Sequence, residues 1–202
     1  MNKTLKIVLQ TALTIAIVVL AYLVYESIMT PVRFERAVDQ RTEKVVQNLK
    51  DIRAAERSYK SINDRYTGSF DTLIDFIKNG EIPVVYTVQD PDDTTFTKVI
   101  TDTIDYINVG DSLFKDRADY NIQHIRYIPF SGEKEFELAA DAIKKGGVEV
   151  DVIEVKAHYR DFLKGLNEQL ITNKIKSRED IEKYPGLKFG SLKEPSTDGN
   201  WE

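Results

Sequence analysis

The stretch Ile7-Val-Leu-Gln-Thr-Ala-Leu-Thr-Ile-Ala-Ile-Val-Val-Leu-Ala-Tyr-Leu-Val-Tyr25 carries no charge, and apart from tyrosine hydroxyls its only polar side chains are Gln10, Thr11 and Thr14. Nineteen residues at 1.5 Å each make a helix of about 28 Å, enough to cross the hydrocarbon of a bilayer. A cleaved export signal would have a shorter apolar core followed by small residues; this run is long and leads into Tyr22, Tyr25 and Glu26. The reading is a membrane span along Ile7, Leu13, Ile17 and Leu20, ending at Tyr25 in the interfacial belt, with the lipid bilayer as first partner. Lys3 and Lys6 precede the span, while Glu26, Arg33, Glu35 and Arg36 mix on the other side. Lysines on a short N-terminal flank favour N-terminus in, C-terminus out. That predicts a single-pass protein of the bacterial inner membrane with a periplasmic domain.

The remainder is of ordinary globular composition, and the formal net charge is -5. With no dense Lys/Arg cluster there is no electrostatic footprint for a polyanion, so nucleic acid is not expected as a partner. The chain has no cysteine, which excludes disulfides, thiolate nucleophiles and iron–sulfur clusters.

Thr30-Pro31 either caps a new helix or interrupts one continuous helix. From Val32 to about Ile62 there is no Gly or Pro, and Val38, Val45, Leu49, Ile52, Ala55, Tyr59 and Ile62 recur at three, four or seven residues. A long amphipathic stalk is predicted, with Phe34, Val38, Val45, Leu49 and Ile52 as its apolar stripe. The near-membrane half has few apolar positions, so the stripe is expected to be covered by another helix, from a second copy or another anchored envelope subunit. Ser69 or Asp71 caps a short second helix that ends at Asn79-Gly80. Ile82–Val88 reads as a strand, Phe96–Val109 as mixed extended structure and Ile122–Phe130 as strand-like. Phe136, Leu138 and Ala140, then Lys144-Lys-Gly-Gly147, then Val148, Val150 and Val152 read as a hairpin with the three valines inward. Residues 159–170 read as a short helix or loop, and Ile171–Lys183 as polar. The predicted class is α+β: an anchor over 1–29, a stalk over 30–64, a domain over 65–176 built on a small antiparallel sheet, and a tail over 177–202. Trp201, the only tryptophan, either locks that tail onto the domain or docks on a partner.

The order of parts up to Ile77 resembles type IV pilins and type II secretion pseudopilins. The closest local match is Ile52-Arg-Ala-Ala-Glu-Arg-Ser-Tyr59 followed by Asp64-Arg-Tyr-Thr-Gly-Ser-Phe-Asp-Thr-Leu73. The resemblance implies a membrane-anchored helix displaying a sheet within an envelope assembly. The family's processing signature departs: no Gly precedes the span, and no acidic residue lies within Ile7–Tyr25.

Chemical motifs are sparse. Gly110-Asp-Ser-Leu113 resembles the nucleophile motif of an esterase family, but Asn121 and Val155 stand where an aspartate should precede His124 and His158. A turn at Gly110-Asp111 is the plainer reading. The two histidines stand alone without zinc-site spacing. Asp90-Pro-Asp-Asp93 lacks the glycine and distal glutamate of a calcium loop and reads as a solvated turn, although calcium binding there stays open. Lys144-Lys145 reads as a solubilising hairpin tip. No catalytic residue, cofactor or metal is expected. The resulting expectation is a non-enzymatic, membrane-anchored scaffold subunit; the alternative is a tethered ligand-binding or sensor domain, which would show a concave pocket with convergent polar groups.

Overall fold

A computed structural model describes residues 3–89, 99–117 and 120–202. The chain is α+β, with one 61-residue helix, α1 (Lys3–Asn63), that is bare at its start and packed on a small domain at its end. Pro31 lies inside α1. It removes one backbone donor, as proline must. The neighbouring Thr30 hydroxyl donates to Glu26 (3.1 Å), and Arg33 also reaches Glu26 (3.0 Å). The span and the stalk are therefore a single element.

Helix α2 (Phe70–Asn79) starts at Ser69, whose hydroxyl accepts from Thr72 N, and buries Phe70, Leu73, Ile74 and Ile77 at three- and four-residue spacing. Strands β1 (Glu81–Gln89) and β2 (Val99–Asn108) pair only with each other, as an antiparallel ribbon. The short helix α3 (Val109–Phe114) follows. Residues Ile122–Arg126 form a 3-10 turn, which corrects the expected strand. Strands β3 (Glu137–Lys145), β4 (Val148–His158) and β5 (Gly186–Gly190) make a second sheet with β4 in the middle. Between β4 and β5 lie α4 (Tyr159–Phe162) and α5 (Glu168–Glu179).

Three sequence expectations are corrected. The inward face of β4 is Ile153, Val155 and Ala157, whereas Val148 is 65% exposed and Val150 is half-buried; of the three valines only Val152 is buried. Alternation has period two, so the adjacent pair Val152-Ile153 shifts the apolar face by one residue. Residues 177–202 are also no tail. Strand β5 pairs Leu187 and Phe189 opposite Ala157 and Val155, and both of these β5 side chains are buried. A Cβ at Gly186 would run into the Ala157 carbonyl, and one at Gly190 into that of Ile153, so glycine at both ends lets β5 approach β4.

The third correction concerns the stalk. Phe34, Val38, Val45, Leu49 and Ile52 are all buried within this chain, Leu49 at 0% exposure, in one core with Ile171, Ile175, Phe162, Leu163 and Phe189. The C-terminal third folds back beside the middle of α1. Lys174 pairs with Glu35 (3.0 Å), and the Arg41 guanidinium donates to the Phe162 and Lys164 carbonyls (2.9 Å each). The expected intermolecular helix–helix interface is therefore occupied by the chain's own domain.

Candidate functional site

The first exposed apolar surface is the start of α1. Ile7, Leu13, Ile17, Leu20 and Tyr25 are all more than half exposed, and among the described residues this is the one helix long and apolar enough to cross a membrane. None of its apolar window is buried by the domain.

The second is the β1–β2 ribbon. Its foot is clamped: Asn108 Nδ2 donates to the Lys78 carbonyl (2.9 Å), Val109 N donates to that of Gly80 (3.0 Å), and Asn108 Oδ1 accepts from Gly110 N (2.8 Å). Beyond the foot, Val85, Tyr86, Val88, Ile104, Tyr106 and Ile107 are open to solvent, Tyr86 at 58% and Ile104 at 64%. The register passes from Val84 opposite Asp105 to Val85 opposite Thr103, which leaves Ile104 as the extra residue of a bulge. A two-stranded hairpin is marginal in water unless a further layer packs on it. Over residues 81–108 the sequence carries six carboxylates (Glu81, Asp90, Asp92, Asp93, Asp102, Asp105) and one lysine (Lys98); this net -5 equals that of the whole chain. The stretch Asp90–Asp93, with its calcium reading, lies outside the described residues.

Beside the foot of the ribbon, Lys78, Gly110, Phe114, Arg117, Tyr120 and Ile122 help line an open pocket of about 330 Å³. Its guanidinium is engaged, whereas the Tyr120 hydroxyl is buried with no hydrogen-bond partner among the described residues. Arg117 makes a two-pronged pair with the buried Asp51 (2.9 and 2.7 Å), and Tyr120 stacks on Phe114 with ring centroids 4.4 Å apart. Burial pushes the Tyr120 hydroxyl's pKa up, and the nearby Asp51 charge adds to this.

A buried carboxylate sits further along α1. Glu56 is 1% exposed; its Oε2 accepts from Thr67 N (3.0 Å), while its Oε1 is buried without a partner. Burial raises its pKa to about 8, against the smaller opposing effect of the Thr67 bond.

The remaining sequence candidates are separated in the fold. Ser112 is exposed on α3, so Gly110-Asp111 opens a helix rather than a simple turn. His158 caps α4, its Nδ1 accepting from Arg160 N (3.1 Å), and His124 is exposed beside Tyr127. Among the described residues no group of three His, Asp or Glu stands together as a metal site. Lys144 and Lys145 are exposed at the end of β3. Trp201 lies against the core with the Arg53 guanidinium 5.8 Å from its ring, and Arg53 pairs with Glu202 (2.8 Å).

The ribbon surface and Glu56 were missed from sequence. Alternation in Val84–Val88 indicates a strand without telling which face is covered, and Glu56 sits on a helix row otherwise read as apolar. No protein-family model matches the chain, and comparisons with curated proteins and with solved structures give no match.

Proposed function

We propose that this chain is a non-enzymatic, single-pass subunit of a bacterial envelope assembly, anchored in the inner membrane by residues 7–25, with its α+β domain on the periplasmic side. The supporting observation is the ribbon: six large apolar side chains exposed on an arm that is fixed at its foot. An exposed apolar patch of this kind is the mark of a protein–protein contact. The two described strands carry Glu81, Asp102 and Asp105 and no Lys or Arg, and this net -3 makes ribbon-to-ribbon pairing of two copies repulsive and favours another anchored subunit with a basic, apolar docking face. A long apolar helix packed on a small sheet is also the general plan of pilins and pseudopilins, and in this reading the chain serves as a scaffold of that kind. No acidic residue lies within Ile7–Tyr25, so subunit alignment through a glutamate in the span is no part of this reading.

The alternative, a tethered ligand-binding domain, would use the pocket at Arg117 and Tyr120. It is the weaker reading because Arg117 is committed to Asp51. The test is site-specific photo-cross-linking in intact membranes from Tyr86 and Ile104, with Val45 as the buried control. Adducts at the two ribbon positions and none at Val45 are expected. Adducts from none of the three would remove the assembly reading. Sidedness is tested by an impermeant maleimide on Lys145→Cys in this cysteine-free chain, which should label in spheroplasts; labelling only after lysis would reverse the topology.

A further inference from the structure

The domain does not simply dangle from its anchor. The end of the α4–α5 loop and the first turn of α5 reach along α1 to the level of the span: Asn167, Gln169 and Leu170 form one wall of a wedge of about 490 Å³, and Leu23, Glu26, Ser27 and Thr30 form the other. Leu166 and Asn167 line an adjoining cleft with Arg33 and Phe34. Leu23 lies two residues, about 3 Å, short of Tyr25 at the end of the uncharged run. Lys6 bounds the run on the far side, so the span cannot slide away from the domain; sliding toward Met29 would only carry the wedge deeper. The wedge therefore opens at the boundary of hydrocarbon and headgroups; most of its exposed surface is apolar, and the Glu26–Arg33 ion pair borders it.

We infer that the segment Leu166 to Leu170 is a membrane seat, and that a phospholipid of the adjacent leaflet fills the wedge between it and α1. The inference rests on the membrane reading of residues 7–25. An apolar wedge continuous with a lipid-facing helix is filled at lower cost by the upper part of an acyl chain than by water, and the Arg33–Glu26 pair at its edge offers hydrogen-bonding groups to the headgroup. The seat fixes the domain against the bilayer and so sets the height at which the acidic ribbon is carried.

The test uses the full chain in nanodiscs of phosphatidylethanolamine and phosphatidylglycerol, with nitroxide labels on single cysteines at Leu13, Gln169, Leu170 and Lys145. Gln169 is exposed, so its label reports even if Leu170→Cys disturbs packing. Power saturation should give Gln169 and Leu170 values between those of Leu13, deep in the bilayer, and those of Lys145 in water, with nickel-chelate accessibility well below that at Lys145. Lipid-like values at Leu13 with water-like values at both 169 and 170 would overturn the seat while leaving the anchor intact. Water-like values at Leu13 as well would overturn the membrane reading and the seat with it.

Discussion

Replacing Glu56 by glutamine should make the protein more stable at alkaline pH and flatten its stability–pH profile. The wild-type carboxyl is buried, with one oxygen unpartnered, and its pKa is raised from 4.5 to about 8. In the folded state it therefore holds a proton that the unfolded chain releases near the ordinary carboxylate pKa. Stability from this group is full below that ordinary value and is lost as pH rises through about 8. At 1.36 kcal/mol per unit the loss approaches roughly 5 kcal/mol, a large part of a domain's usual margin. Glutamine keeps the carbonyl oxygen that accepts from Thr67 N and cannot ionise, so it mimics the protonated acid. The assay is urea unfolding of the full chain in detergent micelles, followed by fluorescence of the sole tryptophan, Trp201. Wild type and Glu56→Gln should be similar near pH 5 and separate by several kcal/mol near pH 9. Parallel profiles, with any difference independent of pH, would refute the reasoning.

The phase of β4 is tested by a pair of substitutions: Val155→Asp, at a fully buried site, should cost several kcal/mol or abolish folding, while Val148→Asp, on the exposed end, should stay within about 0.5 kcal/mol by urea unfolding. Trp201→Ala should cost about 2 kcal/mol, half the usual core value because the ring is only partly buried, and should speed proteolysis of the last dozen residues; unchanged stability would mean that the terminus is not held by Trp201.

Elements with strong local signals were legible in the sequence: the span from its uncharged run, α1 from its stripe, α2 from Ser69 and Gly80, and the β3–β4 hairpin from alternation about Gly146-Gly147. What escaped was what depends on tertiary fit. Residues Ile122, Ile125 and Ile128 recur every three residues, the pitch of a 3-10 turn, but in so short a run this reads equally as a strand. Helix α5 shows only Ile171 and Ile175 on its buried face, and β5 only Leu187 and Phe189, too few to stand out from a polar segment. Because α5 packs beside the start of the stalk, with Lys174 paired to Glu35, and β5 packs on α1 as well, missing them made its stripe look unpartnered and moved the expected contact from the ribbon to the stalk. The candidate site was thus half legible. The long apolar start of α1 could be read from its uncharged run, whereas ribbon exposure is a property of what fails to pack on it.

The central claim, association through the ribbon, is met most directly by the double variant Tyr86→Lys, Ile104→Lys, examined by native electrophoresis of gently solubilised membranes. Both side chains are exposed, so the variant should remain folded and membrane-bound with wild-type thermal stability. The account predicts that wild type migrates in a complex larger than the single chain and that the double variant falls to the mass of the monomer in its micelle. A variant that stays in the complex, or a wild type that migrates only as a monomer, would contradict it.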